Sequence, residues 1–332
     1  MCFYKENFLS EYARQVFYNT LMPDWLIVLL IVLGSLLLLV LAFFISNGII
    51  YTNISFRRRK GDADFAENED PKAKQAPDRL WYFSQSLEEI ILDSYDGLKL
   101  KGYFIDNHSN KLAILVHGYH GRFYSVVFQA RIFFENGYDV LSINNRVHDS
   151  SEGKLITMGK RESKDLMGWI GLMLRRNPNY QIALYGISMG GHIVMKTASK
   201  KDVNEKVKCV IEDCGYHSLK DELILMTKKS PSPIPRTTVF FADLYSRLIH
   251  NFSFTFTIKK AFKNLKMPIL IIHGEKDDYV PSYNAGLNYD AVPEGVYKEK
   301  HIFEGAGHTQ SVVINKEKYT RIVDEFVNKF IK

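Results

Sequence analysis

The stretch Gln181-Ile182-Ala183-Leu184-Tyr185-Gly186-Ile187-Ser188-Met189-Gly190 decides how this sequence folds. Its first five residues form an apolar run typical of a buried strand, and residues 189–198 are compatible with a helix. A Gly-x-Ser-x-Gly turn between a strand and a helix is a nucleophile elbow, in which small residues two positions before and after the serine allow a strained, close approach. The pattern therefore predicts that Ser188 is an exposed nucleophile beside a helix N-terminus, which favours negative charge.

Partners for this serine must lie elsewhere, because three fixed positions also recur by chance in roughly one chain in ten of this length. Acyl transfer by serine needs a base, an acid that orients the base, and donors for the oxyanion. The apolar run 268–272 leads into His273-Gly274-Glu275-Lys276-Asp277-Asp278-Tyr279-Val280-Pro281, which offers the acid. Near the C-terminus, Glu304-Gly305-Ala306-Gly307-His308-Thr309 offers the base. The three groups thus occur in the order serine, acid, histidine.

Short apolar runs alternate with helix-length segments through the rest of the chain. The predicted strands are Leu87–Leu92, Leu98–Ile105, Leu112–Val116, Asp139–Ile143, Gln181–Tyr185, Val207–Ile211, Pro268–Ile272 and Lys298–Phe303. This alternation predicts a mostly parallel sheet with helices on both faces, and the Tyr95-Asp96-Gly97 turn predicts an antiparallel hairpin at its start.

An insertion at about residues 217–266 separates two of the predicted strands. It contains three prolines and many aromatic residues. Long ordered insertions in such sheets are often lids, so we predict a helical cap over the site. Plain helical packing against the side of the domain is the alternative.

The N-terminal part of the chain has a different composition. Leu26 to Ile45 is almost wholly apolar, and about 20 such residues span a hydrocarbon core. We predict an N-terminal segment over 1–24, a transmembrane helix over 25–46, a juxtamembrane basic patch and linker over 47–80, and a folded domain over 81–332. A cleaved signal peptide is disfavoured, because the segment before the apolar run is long and net negative.

Charge predicts how the chain is oriented and which partners it has. Arg57 to Lys60 lie just after the apolar run, whereas only Lys5 and Arg14 precede it, so the folded domain is predicted on the cytoplasmic side. The same basic cluster would be attracted to anionic lipid headgroups. Elsewhere the net charge of +6 comes from interleaved basic and acidic residues, which predicts no nucleic-acid partner. The three cysteines have no zinc-site spacing, and no cofactor is predicted.

Together these motifs resemble the α/β-hydrolase superfamily, and within it the branch of serine aminopeptidase-like and monoacylglycerol-lipase-like hydrolases, some of them membrane-anchored bacterial proteins. The resemblance covers about residues 86–330. It is carried by His117-Gly118, Ser151-Glu152-Gly153, the elbow, the loop from Asp277 to Pro281, and Gly307-His308. It implies an α/β-hydrolase fold with a helical cap.

The resemblance also implies roles for individual residues. It implies Asp277 as the acid in preference to its neighbour Asp278, while Asp213, after the preceding strand, is a third candidate. The oxyanion donors are expected to be the backbone N–H groups of Met189 and Tyr119. Because these donors belong to the backbone, we expect the loop geometry to matter more than the hydroxyl of Tyr119.

One loop departs from the family pattern. Relatives usually have Asp-x-Arg-Gly-x-Gly after the fourth strand, where this chain has Asn144-Asn145-Arg146-Val147-His148-Asp149. Both glycines are replaced, so we expect a different or strained backbone there. No substrate-side role is carried over to Arg146 or His148.

Other histidines offer alternative chemistry. His117 and His120 could hold a metal, and His192 could act as the base. A third metal ligand is not apparent, and a side chain four residues along a helix points away from the tip of the elbow. We therefore expect His117 to order its own loop by hydrogen bonding.

The predicted function is a membrane-tethered, cytoplasmic serine hydrolase that cleaves esters, with acyl-chain or lipid-like substrates, through an acyl-Ser188 intermediate. His308 acts as base and then acid, and Asp277 fixes its tautomer. Activity is expected to rise as pH passes the histidine pKa, near ~6.5 for an unperturbed imidazole. One alternative is a peptidase on short peptides, in which Glu212 or Asp149 binds the amine. The other is a non-catalytic binding module on the hydrolase fold.

Overall fold

A sheet of eight strands forms the centre of the computed structural model, which describes residues 23–57, 76–229 and 234–332. The strands are β1 (Glu88–Asp93), β2 (Lys99–Ile105), β3 (Lys111–Val116), β4 (Asp139–Ile143), β5 (Gln181–Ile187), β6 (Val207–Asp213), β7 (Ile269–Gly274) and β8 (Lys298–Phe303). They lie in the order β1-β2-β4-β3-β5-β6-β7-β8. Each strand coincides with a predicted strand to within two residues at either end.

The strand directions agree with the sequence pattern. β2 pairs antiparallel with β1 and with β4, and the remaining neighbours pair parallel. Between β1 and β2, Gly97 adopts a φ of +81°, and the Ser94 N–H donates to the Leu98 carbonyl at 2.8 Å. This conformation favours glycine, which is why the Asp-Gly turn starts the hairpin. The predicted mostly parallel sheet with an antiparallel entry is confirmed.

Helices cover both faces of the sheet. They are α1 (Asp24–Phe56), α2 (Pro77–Ser84), α3 (Val127–Glu135), α4 (Glu162–Arg176), α5 (Met189–Ala198), α6 (Leu219–Lys228), α7 (Pro235–His250), α8 (Ile258–Phe262), α9 (Tyr283–Ala291), α10 (Ser311–Ile314) and α11 (Lys316–Phe330). The buried apolar residues form two clusters, one containing Trp169 of α4 and the other Phe326 of α11. Strands covered on both faces have apolar residues at consecutive positions, as β3 does.

The helix α1 is the long apolar helix predicted from the sequence, and by length and composition it can cross a membrane. Its 33 residues extend for about 50 Å, which exceeds the ~30 Å of a hydrocarbon core. Gly48, Thr52 and Phe56 are buried at four-residue intervals, so they form one face of the helix. Residues 47–56 were predicted to begin the linker, but they are helical and pack on the domain. Residues 58–75 of that linker lie outside the described residues, and its last four residues, 77–80, are helical because they begin α2.

Three helices, α6, α7 and α8, form the described part of the insertion between β6 and β7. Its prolines at 231 and 233 lie outside the described residues, and Pro235 is the first residue of α7. Helix α7 makes its largest contact with α1 and also packs on α6. The insertion is therefore joined to the N-terminal helix.

Candidate active site

The predicted nucleophile elbow is present between β5 and α5. Ser188 has φ +57° and ψ −119°, a strained combination for a residue with a side chain. A Cβ on Gly186 would lie 2.2 Å from the Gly190 carbonyl oxygen, and a Cβ on Gly190 would lie 2.0 Å from the Val116 oxygen. Both contacts are impossibly short, so the two flanking glycines are required by the close approach of backbone to backbone.

Three side chains from different loops meet at this elbow. The Ser188 Oγ lies 2.9 Å from His308 Nε2, and His308 Nδ1 lies 2.7 Å from Asp277 Oδ2. Asp277 follows β7 and His308 follows β8, so both come from loops at the carboxyl ends of parallel strands. A carboxylate only accepts hydrogen bonds, so the His308 proton lies on Nδ1 and Nε2 can accept from the serine hydroxyl. The structure thus places the predicted nucleophile, base and acid within hydrogen-bond reach.

The Asp277 carboxylate is held by its own loop. Its Oδ1 accepts hydrogen bonds from the N–H groups of Tyr279 at 3.0 Å and Val280 at 2.8 Å. Burial alone would raise the pKa of Asp277, but hydrogen bonds from His273 and His308 outweigh burial and lower it to about 2. The group is therefore ionised at neutral pH and can stabilise a protonated His308.

No role was predicted for His273 from the sequence. Its Nε2 lies 2.8 Å from the Val280 carbonyl oxygen and 3.4 Å from Asp277 Oδ2. Burial lowers the pKa of His273, but Asp277 and Glu212 outweigh it, so the pKa is raised. The sequence feature that indicates a role for His273 is its position four residues before Asp277, at the end of a buried strand.

The other candidate acids are bound elsewhere. Asp213 accepts from the hydroxyls of Tyr319 at 2.8 Å and Tyr185 at 3.1 Å. Asp278 points to solvent, with 90% of its side chain exposed, beside Lys229. The geometry therefore favours Asp277.

The loop after β3 lies against the elbow. A Cβ on Gly118 would approach the Ser188 Cβ to 3.2 Å, so the adjacent backbone passes close to the serine. Met189 is the first residue of α5, where an N–H group has no partner within the helix. The assignment of the N–H groups of Tyr119 and Met189 as oxyanion donors stays a prediction.

Hydrogen bonds from His117 fix this loop, as predicted. His117 Nδ1 lies 2.7 Å from the Gly118 carbonyl oxygen, so it carries the proton and donates, while Nε2 accepts from the Asn145 N–H at 3.0 Å. Burial and the nearby His148 hold the pKa of His117 well below its usual range. A neutral imidazole with both nitrogens engaged orders the backbone and has no lone pair left for a metal.

The remaining histidine and metal alternatives are not supported. His192 Nδ1 lies 2.9 Å from the Tyr216 carbonyl oxygen, and burial lowers the pKa of His192 to about 3. Among the described residues, Cys214, Asp277 and His308 have ligand atoms within 4.8 Å of one another. Two of these belong to the hydrogen-bonded chain, and burial raises the pKa of the Cys214 thiol well above its usual value, which disfavours a metal-binding thiolate.

The altered loop after β4 has a strained backbone, as predicted. Val147 has φ +72° and Asp149 has φ +47°, at the two positions that correspond to the glycines of the family pattern described above. A positive φ is especially unfavourable for a β-branched residue, and each such position costs about 1–3 kcal/mol. Arg146 is buried, and its guanidinium pairs with Asp165 at 2.6 Å and Asp96 at 2.9 Å. Its role in the described structure is to hold this loop to α4 and the first hairpin.

Acidic residues near the site differ in whether their carboxylate oxygens have hydrogen-bond partners. Glu212 accepts from the Gly215 N–H at 2.8 Å and from Asn288 at 3.1 Å. Asp149 accepts from Asn144 at 2.8 Å. Glu222 of α6 was not singled out by the sequence, yet it is 4% exposed and its Oε1 has no partner among the described residues. Burial and the nearby Asp277 raise the pKa of Glu222 to about 8.

We predict that Glu222→Gln stabilises the protein selectively at alkaline pH. The wild-type carboxyl ionises near pH ~4.3 in an unfolded chain but at about 8 in the folded protein, so it opposes folding as pH rises between these values. Glutamine is neutral in both states. Between pH 5 and pH 9 the variant should gain roughly 2–4 kcal/mol relative to wild type, measured by unfolding at both pH values. Asp221→Asn, on the exposed side of the same helix, is the control. A stability difference between Glu222→Gln and wild type that does not change with pH would contradict the prediction.

Comparisons with known proteins agree with the fold. Residues 107–253 match the family model described as serine aminopeptidase, S33. The uncharacterized protein YqkD of Bacillus subtilis (strain 168) is 24% identical over 308 residues, which cover 90% of this chain and 97% of that protein. An esterase of Pyrococcus furiosus is 22% identical with a TM-score of 0.64, covering 76% of this chain and 95% of that one.

Two further solved structures share the fold. An esterase from Exiguobacterium antarcticum is 18% identical with a TM-score of 0.55, and the match covers 73% of this chain and 100% of that one. An acylaminoacyl peptidase of Pyrococcus horikoshii is 19% identical with a TM-score of 0.56, covering 76% of this chain and 43% of that one. These likenesses establish the α/β-hydrolase architecture of the domain that follows α1.

Proposed function

The chain belongs to the α/β-hydrolase superfamily, and from this premise we propose that it is a serine hydrolase that cleaves carboxylic esters through an acyl-Ser188 intermediate. The observation that carries the proposal is the continuous hydrogen-bonded chain from Asp277 through His308 to Ser188, with distances of 2.7 and 2.9 Å. A chance meeting of these groups would not place the serine on a strained elbow as well.

The proposed reaction follows from which atoms carry protons. His308 Nε2 takes the proton of Ser188 Oγ as that oxygen attacks the ester carbonyl, and Asp277 stabilises the imidazolium. The N–H groups of Tyr119 and Met189 stabilise the oxyanion. His308 then protonates the leaving alcohol. In the second half, water gives a proton to His308 as it attacks the acyl carbonyl. The bond between the acyl carbon and Ser188 Oγ then breaks, and His308 returns the proton to Oγ, which releases the acid and restores Ser188.

We propose an acyl-chain or lipid-like ester as the substrate, because the domain is joined to a helix whose side chains from Trp25 to Phe43 are largely apolar and exposed. The esterases among the related structures are consistent with ester chemistry. With 4-nitrophenyl esters from four to eight carbons, kcat/KM should rise about threefold per added methylene. Ser188→Ala provides the background rate. A maximum at acetate, with no gain from longer chains, would contradict the lipid-like substrate.

Short peptides are a second candidate substrate class, supported by the family match and by the buried Oε1 of Glu222, which has no hydrogen-bond partner in the described part of the chain. A substrate ammonium beside this carboxyl would favour its ionised form. Aminoacyl 4-nitroanilides in the same panel distinguish the two classes. Turnover of these amides above that of the best ester would make the peptidase the main activity.

We further propose that α1 is a single membrane anchor and that the hydrolase domain lies on the cytoplasmic side. The support is the position of Arg57 at the end of the helix and the basic residues that follow it in sequence. Arg58 to Lys60 lie outside the described residues. A C-terminal fluorescent-protein fusion should fluoresce, and a C-terminal alkaline phosphatase fusion should be inactive. The reverse result would place the domain outside the cell.

A further inference from the structure

We propose that the C-terminal end of α1, at Ser55 and Phe56, is a working part of the active site, because it holds the oxyanion loop in place through the side chain of Tyr119. The Tyr119 hydroxyl donates a hydrogen bond to the Ser55 carbonyl, 64 residues earlier in the chain. The inference rests on the proposed function, since it is the N–H of the same tyrosine that is assigned to the oxyanion. Tyr119 is thereby a positioning residue through its side chain as well as an oxyanion donor through its backbone.

The end of α1 is fixed firmly enough to serve as a support. Phe56 is 1% exposed, and its ring lies 5.4 Å from Phe254 and 5.9 Å from Phe252, measured between centroids. The Phe56 carbonyl accepts from the Ile156 N–H at 2.7 Å. Aromatic burial and a backbone hydrogen bond therefore attach the helix end to two separate segments of the domain.

Contact with the domain continues up the helix toward the predicted membrane span. A Cβ on Gly48 would lie 2.6 Å from the backbone of Phe241, so α1 and α7 approach as closely as glycine allows. One turn earlier, Phe44 stacks on Phe241 with centroids 5.8 Å apart. The helix that carries the predicted span is thus docked along the insertion before it reaches the oxyanion loop.

The Ser55 carbonyl group is available to accept a hydrogen bond from Tyr119 because it lies in the last turn of α1. The last four carbonyl groups of an α-helix have no partner within the helix, and Ser55 is the second-last residue of α1. Tyr119 satisfies this group from a loop that also contains Gly118, where the backbone passes beside Ser188. Our expectation from the sequence that the loop geometry matters more than the Tyr119 hydroxyl is refined, since the hydroxyl helps to set that geometry.

The test is Tyr119→Phe in the full chain, reconstituted in phospholipid nanodiscs and assayed with a 4-nitrophenyl ester. Loss of an oxyanion donor typically lowers kcat by on the order of 10²–10³, and a donor that is only displaced should lose part of this, about tenfold. KM should change less than about twofold, because ground-state contacts remain. Tyr51→Phe is the matched control: it removes another tyrosine hydroxyl between α1 and the domain, 3.5 Å from the Leu223 carbonyl oxygen. Its kcat should stay within about twofold of wild type.

A second variant approaches the same contact from the helix. Phe56→Ala should loosen the end of α1, and in that background Tyr119→Phe should have a smaller effect than in wild type, as a double-mutant cycle detects for coupled residues. Hydrogen exchange of residues 117–121 should accelerate in both variants and not in Tyr51→Phe, which tests the inference even without a substrate. Wild-type kcat and wild-type exchange in Tyr119→Phe, or equal losses in both tyrosine variants, would overturn it. An inactive wild type would instead contradict the proposed hydrolase activity.

Discussion

Replacing Ser188 with alanine is expected to abolish labelling by a fluorophosphonate probe and to lower ester turnover by on the order of 10⁴- to 10⁶-fold. The probe forms a covalent bond only with a hydroxyl that has a base within reach, and Ser188 Oγ lies 2.9 Å from His308 Nε2. Alanine removes the attacking oxygen without adding volume at a crowded backbone. The protein should therefore remain folded and lose only its chemistry, as gel fluorescence and a kinetic assay would show.

Ser150→Ala is the control for this experiment, because Ser150 is an exposed serine on the loop after β4 and lies outside the hydrogen-bonded chain. It should be labelled and turn over substrate like wild type. Labelling that persists in Ser188→Ala would move the nucleophile to another residue. A wild-type protein that resists the probe would favour the non-catalytic binding module.

The sheet and the meeting of Ser188, Asp277 and His308 could be predicted from the sequence for a simple physical reason. Strands buried on both faces have continuous apolar runs, and parallel strands end at the same edge of the sheet. Loops that follow such runs must therefore lie near one another, however far apart they are in sequence. Asp277 follows the buried apolar run of β7, and His308 follows the more polar edge strand β8, so both residues were expected at the edge of the sheet that carries the elbow.

The boundary of the N-terminal helix could not be predicted in the same way. A lipid-facing helix and a helix packed on a protein both favour apolar residues, so composition does not show where one environment ends. What distinguishes residues 47–56 is the spacing of Gly48, Thr52 and Phe56, and this becomes informative only when α7 is present to pack against it. The contact of Tyr119 with Ser55 has no sequence signal at all.

In the loop after β4, the backbone strain could be predicted from the sequence, but the contacts that hold the strained loop could not. Loss of both glycines correctly predicted strain, because Val147 and Asp149 keep positive φ values. The compensation was not predictable: Asp149 accepts from Asn144, and Arg146 is held by two carboxylates. Long-range ion pairs of this kind depend on the final packing.

Asp277→Asn should lower kcat by about 10⁴-fold while leaving the fold intact. The wild-type carboxylate keeps the His308 proton on Nδ1, 2.7 Å away, so that Nε2 accepts from Ser188. An asparagine amide turned toward Nδ1 donates instead of accepting, which moves the imidazole proton to Nε2 and prevents His308 from acting as the base. The neutral amide also removes the charge that stabilises the imidazolium formed during attack.

The neighbouring substitution Asp278→Asn separates this effect from a general loss of charge in the loop. The Asp278 side chain is 90% exposed, so kcat of Asp278→Asn should stay within about twofold of wild type. The effect of Asp277→Asn should fall on kcat with little change in KM, because Asp277 acts on the transition state and not on substrate binding. Equal losses in the two variants, or full activity in Asp277→Asn, would exclude Asp277 as the acid. Asp213→Asn would then test the remaining candidate, whose carboxylate is now held by Tyr319 at 2.8 Å.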